Sequence, residues 1–131
     1  AAAAATRAQH AQQTGLGLSP DAVAQAAWLH DVIEDTETTA DDLRRAGYAE
    51  PVIEMIELLS KPPGQQTYEE RIATIIESGN LGAILIKLSD NEDNNDPDRV
   101  RPEGFEHLTA RYIASMARLR RAAAALGYTG P

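Results

Sequence analysis

The chain has no cysteine among its 131 residues. That excludes disulfides, thiolate metal ligands and a cysteine nucleophile, and it leaves the compartment open with the cytosol as the expectation. Positive charge is also short: 12 Lys and Arg stand against 20 Asp and Glu, for a net charge of −8 and a pI of about 4.8. An acidic surface repels phosphate backbones, so no nucleic-acid partner is expected. No run approaches the ~18 apolar residues of a membrane span, so no membrane partner is expected either. The opening run Ala1 to Ala5 lacks the basic leader and long apolar core of a signal peptide. There is no Gly-rich phosphate loop, no G-x-S-x-G and no H-E-x-x-H. Asp90 to Arg101 fails as a calcium loop, with Asn95 where Gly is needed and Arg101 where a bidentate Glu is needed.

What is present reads as one folded domain. The length suits a single core, and 43% hydrophobic residues argue against disorder. Punctuation divides the chain into helices. Thr6 to Thr14 is helix-permissive and ends at Gly15-Leu16-Gly17. Ser19 followed by Pro20 is a strong start signal for a helix reaching about Glu34. Thr39 or Ala40 opens a short polar helix closed by Gly47, and Pro51 starts another with Val52, Met55, Ile56 and Leu59 at helical spacing. Lys61-Pro62-Pro63-Gly64 stops it. Thr67 with Glu70 forms a capping box ahead of Ile72, Ile75 and Ile76. Leu81 to Leu88 is apolar nearly all round and is expected to be the most buried element. Periodicity alone does not separate strand from helix there, and helix is chosen because its neighbours are helical. A last helix spans about Pro102 to Leu126, with Phe105, Leu108, Tyr112, Met116, Leu119 and Ala123 on one stripe. Arg111, Arg118, Arg120 and Arg121 fall largely outside it, as a solvated face or the lining of an anion groove. The fold class is all-α, a bundle of about six or seven helices.

The acids are unevenly placed: six lie between Asp31 and Asp42 and five between Asp90 and Asp98, eleven of the twenty. Crowded like charges are relieved by solvent or by a bound cation. The sharper case is Ala27 to Thr36, AWLHDVIEDT. Residues three and four apart share a helix face, so His30, Asp31, Glu34 and Asp35 point roughly one way. Trp28, Leu29, Val32 and Ile33 are then expected to cover the other side, with Trp28 in the core. Imidazole and carboxylate together suit a divalent Zn, Mn or Fe ion. An isolated His-Asp pair would more simply be a helix-end His at the negative pole of the dipole. Asp90 is the natural partner: it ends the most buried helix, 59 residues after Asp31, and a buried carboxylate is costly unless paired or metal-bound. Asn94, four residues on, shares its face. His10 and His107 read as surface or core histidines.

AWLHDVIEDT followed by LIKLSDNEDNN resembles the HD-domain phosphohydrolases, and more narrowly the hydrolase domain of the bifunctional (p)ppGpp synthetase/hydrolases and their small stand-alone relatives. The likeness covers about Thr6 to Asn94. It implies an HD-type bundle over residues 1–131 with its N-terminal part incomplete, and hydrolase activity only. The resemblance also implies one divalent metal, usually Mn2+, on His30, Asp31 and Asp90. It makes Glu34 and Asp35 the pair that orients or activates the attacking water, and puts Asn94 near a phosphorylated nucleotide. The reaction implied is removal of the 3′ pyrophosphate from guanosine tetra- or pentaphosphate. The alternatives are an HD nucleotidase or phosphatase acting on another nucleotide, or a degenerate HD domain that binds a nucleotide or partner without chemistry. One departure stands out: the family's first His, counted back 26 positions from His30, falls on Ala4. His10 is 20 positions back, out of register.

Overall fold

Several helices start or stop where local chemistry provides for their unpaired backbone groups. The computed structural model describes residues 2–33, 36–60, 66–95 and 106–131. The helices among them are α1 (Ala2–Gln13), α2 (Pro20–Ile33), α3 (Ala40–Arg45), α4 (Glu50–Leu59), α5 (Tyr68–Glu77), α6 (Leu81–Asn94) and α7 (Glu106–Ala125). No strand occurs among the described residues, so the chain is all-α. Ser19 Oγ accepts from the Ala22 amide at 3.3 Å, with Pro20 opening α2. The capping box of Thr67 and Glu70 is formed. Thr39 and Asp42 form a second one at α3. Gly79 closes α5 with φ +67, a conformation only glycine adopts without strain. The stop expected at Lys61 to Gly64 lies outside the described residues, as do Phe105 and the first residues expected of the last helix.

Helix α6 is the hub. It packs on α1, α2, α4, α5 and α7, and every residue from Gly82 to Ser89 is buried. This matches its nearly unbroken apolar run: a helix greasy all round is stable only when surrounded. Around it lie Val23 and Ala26 of α2, Val52, Ile53 and Ile56 of α4, Ile72 and Ile75 of α5, and Met116, Leu119 and Ala123 of α7.

Two expectations are corrected. Trp28 and Val32 are not core residues; they are 57% and 53% exposed. The buried residues of α2 are Val23, Ala26, Ala27 and Leu29, and continuing the spacing of Val23, Ala26 and Ala27 by one turn reaches His30. So His30 sits on the core-facing side of the helix beside the buried Leu29, while Trp28 and Val32 point out. Second, Asp90 does not end its helix. SDNEDN contains no breaker, and α6 runs one more turn to Asn94.

Candidate metal centre

The site is built where α2 and α6 cross. His30 reaches it from the last turn of α2, and Asp31 follows from the helix edge. Asp90 arrives from α6, set one turn before its C-terminus. One ligand atom from each of the three lies within 4.8 Å of the others. His30 Nδ1 is 3.5 Å from Asp31 Oδ1 and 3.9 Å from Asp90 Oδ2. Both separations exceed a normal hydrogen bond. Nδ1 is buried and has no hydrogen-bond partner among the described residues. Buried polar atoms are rarely left that way. A nitrogen facing two carboxylates at these spacings matches the mixed nitrogen and oxygen set that borderline divalent cations take. The residues present therefore fit a divalent metal, which His30, Asp31 and Asp90 would hold.

The charge balance agrees. Burial pushes the Asp90 carboxyl above its usual value, His30 and Lys87 pull it back, and Asp31 adds to the rise. The protein thus holds a carboxylate where a carboxylate is disfavoured, which is the environment functional sites are made of.

Sequence reasoning missed the support behind Asp90. Lys87, Asp90, Asn91 and Asn94 share one face of α6 by helical spacing. Tyr68, the first residue of α5, donates its hydroxyl to Asn91 Oδ1. Its ring lies under two cations, 5.3 Å from Lys87 Nζ and 5.2 Å from the Arg111 guanidinium carbon, with Tyr112 edge-on at 6.1 Å. Burial pushes the Tyr68 hydroxyl up to about 12, so it stays a donor at any physiological pH. The available signal was Lys87, an ionisable residue inside an apolar run three positions before Asp90.

Of the remaining sequence candidates, Asn94 is half-buried on Asp90's face. Glu34 and Asp35 lie outside the described residues. Ala4 is buried, one turn before Arg7, whose Nη1 donates to Ser89 Oγ at 2.8 Å, beside Asp90. The position where the resemblance puts a first His is therefore an alanine on the helix that packs against the residue before Asp90. His10 is elsewhere, with Nε2 3.1 Å from Thr129 Oγ1. The side chain of His107 is outside the described set.

An all-α bundle in which a His-Asp doublet from one helix meets an Asp from a buried helix is an HD-type arrangement. Comparison with curated proteins agrees. The chain is 32% identical over 101 residues to the human guanosine-3′,5′-bis(diphosphate) 3′-pyrophosphohydrolase MESH1, covering 74% of this chain and 56% of that protein. The mouse protein of the same name is 31% identical over the same coverage. The chain is thus similar to proteins named for that hydrolysis, and it spans a little over half the length of these curated relatives. No family model matches the chain. No solved structure matches it.

Proposed function

We propose that the chain is a metal-dependent phosphohydrolase, acting as a single domain, that removes the 3′ pyrophosphate from guanosine tetra- or pentaphosphate-like nucleotides. The observation that carries this reading is the meeting of His30, Asp31 and Asp90 from two helices, and the kinship with proteins named for that hydrolysis supports it. A divalent cation held there, Mn2+ in this reading, would screen phosphate oxygens and acidify water. The chain's own residues do the rest. Glu34 and Asp35, three and four residues after Asp31 in the sequence, take the proton of the attacking water. Asn94, on Asp90's side of α6, contacts the nucleotide. Lys87 and Arg111 bring positive charge to that side of the helix, which makes an acidic chain tolerable to an anionic substrate. Hydrolysis breaks the link between the 3′ oxygen and the diphosphate, leaving a 3′ hydroxyl and free pyrophosphate. A cysteine-free composition accords with a cytoplasmic location.

The test is release of pyrophosphate from guanosine 3′,5′-bis(diphosphate) by the purified chain. Chelator should abolish it, Mn2+ restore it, and Asp31→Asn lower kcat by at least about 100-fold, as loss of metal support typically does. No turnover with Mn2+ present would remove the substrate claim, and a panel of nucleoside monophosphates and polyphosphate would then test the same centre on other phosphates. One observation favours a second reading, a nucleotide-binding domain without chemistry: Ala4 is a buried alanine where the resemblance calls for a ligand. Elemental analysis separates the two, because a non-catalytic version that binds nucleotide need hold no metal.

A further inference from the structure

The other side of α6 carries a different constellation. Glu92 is two residues after Asp90, about 200° around the helix, and Leu88 is as far around in the opposite sense. Both therefore face nearly away from Asp90. There, between α1, α6, the end of α7 and the segment that follows it, lies a cleft of about 400 Å³. That is within the roughly 300–1,000 Å³ of small-molecule sites. Its polar side chains are Arg7, Arg120, Glu92, Tyr128 and Thr129, against an apolar wall that includes Leu88 and Ala123.

The donors in this cleft outnumber its acceptors. Arg7 is buried. It pairs with Glu92, and it donates through Nη1 to Ser89 Oγ and through Nη2 to the Pro131 carbonyl at 3.2 Å. Its Nε has no partner among the described residues. The Tyr128 hydroxyl is buried beside Arg7 and has no hydrogen-bond partner of normal geometry among the described residues. Arg120 approaches Glu92 only to 3.7 Å, too far for a hydrogen bond. One side-chain carboxylate and the Pro131 main-chain oxygen thus face two guanidinium groups, each with five N–H donors, plus a phenol. In a chain of net charge −8 this is a local excess of cation and of donors. What it lacks is an oxyanion with several acceptors, which guanidinium groups bind by their fixed fork geometry.

We infer that the cleft between α1, α6 and α7 is a second ligand site, separate from the candidate metal centre, that binds a small phosphate-bearing anion. Inorganic phosphate is the probe. The titration is run on the full chain in chelator, at constant ionic strength against chloride, and followed by calorimetry and thermal shift. Saturable binding is expected. Arg120→Gln or Tyr128→Phe should weaken it about tenfold or more, the usual effect of losing a hydrogen bond to a charged group. Both changes are mild enough to leave the fold intact: Arg120 is half-exposed and Tyr128→Phe removes one oxygen. Arg7 is left in place because its loss would unpair Glu92. Asp90→Asn should bind phosphate as the unaltered chain does. The inference is overturned by an absence of saturable binding, by unchanged binding in both variants, or by loss of binding in Asp90→Asn. Metal and nucleotide are absent throughout, so the result is independent of whether the chain is a hydrolase.

Discussion

At the scale of single residues, the site is marked by groups held where they are uncomfortable. His30 Nδ1 is buried without a hydrogen-bond partner among the described residues, and Asp90 is a carboxylate whose charge burial opposes. A cation resolves both. Asp90→Asn keeps the shape and removes the disfavoured charge. The metal-free variant is therefore expected to melt no lower than the unaltered chain, while losing the stabilisation that Mn2+ gives. For the unaltered chain that stabilisation is about 2.7 kcal/mol when Mn2+ is at 100 times its Kd. Melting curves with chelator and with Mn2+ measure both halves, and a variant still stabilised by Mn2+ would exclude Asp90 as a ligand. Residue identity was legible from sequence in this case, because a His-Asp doublet and a carboxylate after an apolar run are unusual in themselves. The orientation of His30 was not. Trp28 and Val32 are large and apolar and read as an inner side, yet Val23, Ala26, Ala27 and Leu29 are the residues buried, and they set which side is in.

At the scale of elements, local rules performed well because capping is local. The Thr67 box, the Ser19-Pro20 start and the Gly79 stop all involve neighbours within a few residues. Helix α3 shows how strongly a six-residue helix depends on such bonds. Asp42 accepts from the Thr39 amide and pairs with Arg45, and these contacts hold its carboxyl below the usual 3.8, the Thr39 amide contributing most. A lowered folded pKa means stabilisation that is complete above the unfolded value and lost as pH falls through the folded one. Amide exchange in α3 should accordingly be protected at neutral pH and lose that protection below pH 3.8, ahead of the core. Asp42→Ala should show the unprotected state at neutral pH already. Equal protection in the variant would mean the box does not hold α3. The extra turn of α6 beyond Asp90 was not legible for the complementary reason: its polar residues look like a loop, but Asn91 is anchored in the interior by Tyr68 of another helix.

For the molecule as a whole, the candidate metal centre is a joint between α2 and α6, which are far apart in sequence and in contact in space. A ligand bound across a joint stabilises both sides together. Addition of Mn2+ should therefore slow hydrogen exchange in the last turns of α2 and of α6 alike, with little change in the exposed face of α7. Protection confined to one of the two helices would mean the cation is held by that helix alone.

The sequence by itself determined that this protein is helical, where most of its helices begin and end, which of them is innermost, and that its acids cluster at two places with a His-Asp doublet in one. These follow from spacing and capping, which act over a few residues. Only the tertiary structure decided that Asp90 lies beside His30, that Trp28 faces outward, and that Tyr68, Lys87 and Arg111 gather behind the site. Those outcomes depend on which helix faces pair when the apolar surface of all the helices is buried at once, and no single stretch of chain carries that information.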